Sequence, residues 1–274
     1  MKPLGVMLVC SALLVAAVAV DNPILLGSIA VCALALLLAG PGSKRAYLVF
    51  AGTSALLVFL INPFVSVQGL TPIWNGPHIP LLDTEITQEE LAFGASAALR
   101  IFASALTVAA FVRIADGDLV LNGVSRVAPR SAMIVALAAR LLPTLERDAA
   151  GIALAARARG ATASGRRSAA DLVSPLVSLS LERSLGLAEA MEARGYGGGR
   201  RTREPGPPAD GPERVMTASG VALCLLTAWL LLFGGANYVF YDLLGDPVTA
   251  AAIGGSAAFA ALTAVAIGAV RWPR

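Results

Sequence analysis

The chain reads as an all-α, polytopic membrane protein with about six transmembrane helices and two long cytoplasmic helices between the fourth and fifth spans. Three observations predict this. Hydrophobic residues are 57% and charged residues 14% of the 274, with a mean hydropathy of +0.74, which is too much apolar surface for a soluble domain of this size. Several apolar runs approach the roughly 20 residues that a helix needs to cross about 30 Å of hydrocarbon. The basic residues are also segregated, because none of the 21 Lys and Arg lies within 3–43, 46–99 or 215–270.

The apolar runs place spans at 4–20, 24–40, 46–61, 91–112, 215–234 and 247–270. The second and third are short, near the lower length limit for crossing. No charged segment followed by a small-residue cleavage site is separable at the start, so the first span is expected to be retained. Lys2, Lys44, Arg45, the stretch from Arg100 to Arg214, Arg271 and Arg274 hold the basic residues, while Asp21, Asp83, Glu85, Glu89, Glu90, Asp242 and Asp246 occupy the alternate loops. Lys and Arg accumulate on the cytoplasmic side, so both termini are expected to be cytoplasmic. The expected organisation is 1–113 for the N-terminal spans with an external loop at 62–90, 114–200 for cytoplasmic helices, 201–214 for a linker and 215–274 for the C-terminal spans. The sequence pI of about 9.0 then reflects one basic cytoplasmic segment and calls for no nucleic acid.

The external loop carries Pro63, Gly69, Pro72, Gly76, Pro77 and Pro80, with Val65, Val67, Ile73 and Trp74 between them, a pattern that predicts an irregular cap with a short hairpin. Thr87 with Glu90 three residues later fits a capping box, so the acids at Asp83, Glu85, Glu89 and Glu90 read as a solvated helix start. His78 is the single histidine and has no metal-ligand neighbours. Cys10, Cys32 and Cys224 fall far apart in predicted spans, as packing residues do. No metal or cofactor site is expected.

In the cytoplasmic segment, the apolar run from Ser131 to Leu142 is too short to span and is interrupted by Arg140. Met133, Leu137, Leu141 and Leu145 recur every four residues along one face, which suits a helix lying on the membrane surface or against the cytoplasmic ends of the spans. A bend is expected at Pro143, which lacks an amide hydrogen, and beyond it Glu146, Arg147 and Asp148 are expected to turn the helix into water. Helical character resumes to Arg159 and stops at Gly160. A second helix begins near Ala169, bends at Pro175, carries the ladder Val173, Val177, Leu181 and Leu185, and ends at Arg194 and Gly195. Both ends read Ala-Arg-Gly, at Ala158-Arg159-Gly160 and Ala193-Arg194-Gly195. Glycine accepts the left-handed conformation that closes a helix, and arginine in the last turn lies beside the negative end of the helix dipole. One such triplet is unremarkable in a chain of this composition. Two, both closing amphipathic helices in the same segment, point to helix tips that meet a partner, since a guanidinium at a tip makes bidentate contacts with carboxylates.

At these residues the chain resembles the T component, the transmembrane coupling subunit, of energy-coupling-factor transporters, of both the cobalt/nickel and the vitamin type. The matching pieces are Ala139-Arg140-Leu141-Leu142-Pro143, Ala156-Arg157-Ala158-Arg159-Gly160 and Glu189-Ala190-Met191-Glu192-Ala193-Arg194-Gly195-Tyr196-Gly197, with Arg100 inside Ala98-Leu99-Arg100-Ile101. The likeness in motifs covers about 90 to 200. It implies that Arg159 and Arg194 dock into the grooves of two ABC ATPase subunits, identical or different, and that the spans hold a separate substrate-binding S component in the cell membrane. The expected role is uptake of a vitamin or of cobalt or nickel, with Arg100 and Arg140 as structural or subunit contacts. No catalysis is expected of the chain itself, because Gly42-Ser43-Lys44-Arg45 lacks the order of a phosphate-binding loop and Tyr196-Gly197-Gly198-Gly199 follows a helix rather than opening one. That last stretch continues through Arg200, Arg201 and Arg203 as a linker able to touch anionic headgroups.

Three alternatives stay open at this point. A conventional ABC importer permease also docks a cytoplasmic helix on an ATPase, and Ala155-Ala156 with Gly160 echoes its loop, but Leu154 stands where its glutamate would be. An ion-coupled carrier keeps ionisable groups in its spans, whereas Arg100 is the clear charge in the predicted ones. A membrane-embedded enzyme needs a nucleophile with a base, or a metal, and His78 with scattered cysteines offers little.

Overall fold

The computed structural model describes residues 3–62, 71–75, 85–115, 117–125, 128–160, 166–196, 210–233, 237–238 and 248–271. His78, the acid Asp83, and the linker from Gly197 through Arg203 lie outside these residues, as do Lys2 and Arg274. Among the described residues the chain forms nine helices and one antiparallel strand pair, in two compact units, Met1–Val120 with Ala209–Arg274, and Leu121–Pro208.

The first unit contains α1 (Pro3–Ala19), α2 (Pro23–Ala39), α3 (Arg45–Ile61), α4 (Gln88–Ile114), α8 (Gly211–Leu232) and α9 (Ala250–Val270). Length and composition suffice for α4, α8 and α9 to cross a membrane, while α1, α2 and α3 are apolar but shorter. A 17-residue helix such as α2 extends roughly 25 Å, slightly less than the hydrocarbon thickness.

Side-chain caps open α2, α4 and α9. Asn22 caps α2 by accepting the Ile24 amide at 3.0 Å, with Pro23 in the first turn. Thr87 and Glu90 form the expected capping box on α4, the Glu90 amide donating to Thr87 Oγ1 at 3.3 Å and the Thr87 amide to Glu90 Oε2 at 3.1 Å. The acids there are not solvated, however. Glu89 and Glu90 are buried, because β1 (Pro72–Asn75) and β2 (Glu85–Thr87) pair just ahead of the helix and Thr71 Oγ1 donates to Glu89 Oε1 at 2.6 Å. The strand pair fits the expected hairpin, and Thr71, just ahead of β1, holds the Glu89 carboxylate.

Packing in this unit runs from α1 to α8, α8 to α9, α9 to α2, α2 to α4 and α4 back to α1, with α3 applied to the outside of α4. The difference between ring and periphery shows in burial. Eight residues of α2 are buried, including Leu25, Ile29 and Leu36, but Ala51 alone in α3, whose Val49, Phe50, Leu57 and Leu60 face outward. Cys10 and Cys32 are buried and Cys224 is half-buried. Apolar helices gain little from leaving lipid, so close backbone approach matters more than apolarity itself. Gly220 provides such an approach, since a Cβ there would lie 2.7 Å from Leu8 Cβ and 3.0 Å from the Val9 nitrogen.

The helices alternate in direction, and charge follows. Gly40, at the end of α2, lies beside Ile114 and Arg113 at the end of α4, and Gly5 of α1 lies beside Met216 of α8. Gly255 near the start of α9 meets Leu25 and Leu230 instead. Lys44, Arg45, Arg113, Arg214 and Arg271 therefore share one end of the unit, and Asp21, Glu89 and Glu90 fall toward the other.

The second unit contains α6 (Pro129–Ala158) and α7 (Arg166–Ala193), and the short α5 (Gly117–Val124), which the sequence did not suggest, straddles the division. Pro143 and Pro175 lie inside α6 and α7, and neither ends its helix.

Candidate functional site

The two Ala-Arg-Gly tips have the same local geometry. Gly160 has φ +82° and Gly195 has φ +78°, the left-handed region that glycine enters without a Cβ clash. At the first tip the Gly160 amide donates to the Arg157 carbonyl at 3.0 Å, and the Arg159 amide to the carbonyls of Ala155 and Ala156, each at 3.2 Å. At the second, the Gly195 amide donates to the Glu192 carbonyl at 2.8 Å and the Tyr196 amide to the Met191 carbonyl at 2.9 Å. These two bonds make a Schellman closure, which satisfies the carbonyls that a helix end leaves without partners.

Ala158, Arg159, Gly160, Ala193, Arg194 and Gly195 are all exposed. Each arginine occupies the capping position, outside the last helical turn, with alanine on one side and glycine on the other. A guanidinium so placed presents five donors that fit a carboxylate or a carbonyl-lined groove, and its small neighbours leave room for another backbone.

Between the tips, α6 and α7 touch through a narrow inner face. Met133, Leu137, Leu141 and Leu145 are half-buried on α6, as their spacing suggests, but on α7 the half-buried line is Leu172, Leu176, Leu179 and Leu187. The ladder Val173, Val177, Leu181 and Leu185 is 55–61% exposed and forms a second apolar stripe. Arg183 Nη1 of α7 donates to Asp148 Oδ2 of α6. That hydrogen bond, aided by the carboxylate's charge, pushes the guanidinium further above its ordinary pKa, so the contact keeps its ion-pair character.

The other arginines named by the sequence are separate from the tips. Arg140 is exposed on α6. Arg100, on α4, donates through Nη2 to Asp21 Oδ1 at 2.6 Å and to the Val20 carbonyl at 3.1 Å. It therefore holds the α1–α2 turn of its own chain. Arg113, thirteen residues further along α4, does the same at the opposite end of α2. Its Nη1 donates to the Ser43 carbonyl at 2.7 Å and its guanidinium lies 5.5 Å from the Tyr47 ring centroid. Lys44 Nζ also donates to the Leu38 carbonyl there, beside the negative end of the α2 dipole. Sequence reasoning passed over Arg113 and Arg183 and expected Asp148 to face water, whereas it is half-buried and paired with Arg183. The available signal for Arg113 was its place in the last turn of a long apolar helix, and for the other two it was opposite charge on two amphipathic helices, with nothing to say where those helices meet.

Comparison with known families gives a direct result. The family model described as cobalt transport protein, CbiQ, matches residues 1–205, a stretch that includes the first four apolar helices and both arginine tips. No curated protein matches the chain. The chain belongs to the CbiQ cobalt transport protein family and is a membrane component of a transporter.

Proposed function

With that membership as the premise, we propose that the chain is the transmembrane coupling subunit of an energy-coupling-factor importer. Two ABC ATPase subunits bind the tips of α6 and α7, and the apolar helices hold an S component that carries the substrate. Arg159 and Arg194 are the docking contacts, and ATP-driven motion of the ATPase pair passes through α6 and α7 to the S component. The chain performs no chemistry. Its cargo system takes up a transition-metal ion such as cobalt or nickel, or a vitamin, with specificity residing in the S component.

The observation that carries this reading is the pair of exposed helix tips, identical in Ala-Arg-Gly sequence and closed by glycines of nearly equal φ. A single docking loop, as in a conventional importer permease, leaves the second tip without a use. The charge segregation in the six-helix unit supports the membrane arrangement. The chain passes from the end of α4 into the α6–α7 unit and returns to the start of α8, and both points lie at the end rich in Lys and Arg, the cytoplasmic side by the positive-inside rule. On that reading all six apolar helices cross the bilayer and both termini are cytoplasmic.

The test is uptake by the complete transporter in proteoliposomes. Replacing both Arg159 and Arg194 by Glu puts negative charge where a carboxylate-bearing groove is expected. Uptake lost, with the membrane unit's thermal midpoint unchanged, is the expected result. Normal ATP-dependent uptake by the double variant removes the reading.

A further inference from the structure

The two arms that end in Ala-Arg-Gly match beyond that triplet. Aligned on the terminal glycines, Asp148–Gly160 and Arg183–Gly195 agree at six of thirteen positions, namely Gly151 with Gly186, Ala153 with Ala188, Ala155 with Ala190 and the three residues of each tip. Burial repeats as well. Asp148, Ile152 and Ala156 are half-buried in one arm and their counterparts Arg183, Leu187 and Met191 in the other, while Ala149 and Ala153 are half-buried in the first arm alone. Four-residue spacing keeps each set of three counterparts on one helical face.

The first positions of this repeat are the two members of the ion pair. Asp148 stands eleven residues before Arg159, and Arg183 stands eleven residues before Arg194. Eleven residues are three helical turns with about 20° left over, so each tip arginine lies almost directly above its own brace residue and roughly 16 Å along the axis. Both helix prolines, Pro143 and Pro175, precede the pair, and each arm beyond it is unbroken helix to its tip.

We propose that the Asp148–Arg183 pair is the pivot of α6 and α7, a positioning contact that sets the separation and direction of two equal arms so that both tips dock at once. The inference rests on the docking reading above and names two residues for it. Elsewhere the arms have little to hold them together. Among the described residues α6 buries only Ala132, which precedes the arm, and α7 buries none. The pair is also polar and opposite in sign, so it fixes register in a way that sliding apolar faces do not. The carboxylate is 20% exposed and the guanidinium 35%, which leaves a contact that a partner's motion can turn without unfolding either helix.

The experiment uses the full-length protein in detergent, with the native cysteines replaced and spin labels at Leu154→Cys and Glu189→Cys, exposed positions one turn or more behind the tips. The expected label-to-label distance distribution is narrow in the parent, broader in Asp148→Asn, broader again in Asp148→Arg and Arg183→Asp, and narrow again in the charge-exchanged double variant. In the complete transporter, uptake should fall by roughly fivefold in the single reversals and recover in the exchange. An unchanged distribution in the single variants, or no recovery in the exchange, overturns the pivot. The distance measurement contains no ATPase, so it is decided separately from docking. If the distances behave as described while Arg159→Glu/Arg194→Glu still retains the ATPases, the docking reading fails and the brace survives as a helix crossing.

Discussion

The six-helix unit and the α6–α7 unit are both rich in alanine and leucine, the second with arginine added, yet they are held together differently. In α2, 17 residues long, eight residues are buried; in α6, 30 residues long, only Ala132 is. The first unit gets its shape from its own packing, with glycine letting backbones touch and Arg100 and Arg113 pinning the two ends of α2. The second gets its shape from local signals, namely two glycine stops, one ion pair and a thin line of apolar contact. A unit of the first kind resists deformation, and one of the second kind can be reset by whatever binds it.

The same substitution should separate the two regimes most sharply. Gly220→Ala introduces a Cβ within 2.7 Å of Leu8 Cβ, and helices that cannot separate without losing contact elsewhere should lose about 1–3 kcal/mol. A clear drop in the detergent thermal midpoint is expected. Gly186→Ala, with nothing within 4 Å of its added Cβ, should leave that midpoint alone and raise local helix stability by up to about 1 kcal/mol, visible as slower amide exchange in the arm. Equal midpoints for the two variants would erase the distinction.

A smaller effect is expected at the tips. Gly160→Val and Gly195→Val force a β-branched residue into the left-handed region, at a cost of roughly 1–2 kcal/mol each. The strain is local, so the thermal midpoint should hold while ATPase recovery falls, and a lowered midpoint would mean that the tips also support the bundle. Smaller again is Arg100→Gln. It removes the ion pair with Asp21 but leaves the packing of α1, α2 and α4, and polar contacts of this kind within membrane bundles contribute about 0.6 kcal/mol on average. A shift of a few degrees or less is expected, and unfolding of the bundle would show that Arg100 carries more than the α1–α2 turn.

Much of this was readable from the residues. Apolar runs placed α1, α2, α3, α4, α8 and α9 to within a few residues, because length and hydropathy are local properties. The glycine stops of α6 and α7 and the Thr87–Glu90 box were readable for the same reason. The misses are all questions of what meets what. The sequence did not reveal that Glu89 and Glu90 lie buried behind the β1–β2 pair, or that Arg100 finds Asp21. On α7, Val173 through Leu185 form the more regular ladder, yet Leu172, Leu176, Leu179 and Leu187 face α6. Two apolar stripes of equal period cannot be ranked until the partner helix is in place. The ion pair Asp148–Arg183 stayed hidden for that reason too, and with it the common starting point of the two arms.

The central claim is that Arg159 and Arg194 join this chain to its ATPases. The most direct measurement is a detergent pull-down of the full chain expressed with its candidate ATPases, comparing the parent with Arg159→Glu/Arg194→Glu. The account predicts that the parent retains both ATPase subunits and the double variant neither, at equal recovery of the membrane chain. Equal ATPase recovery with both proteins would contradict it and reduce the two tips to ordinary helix ends.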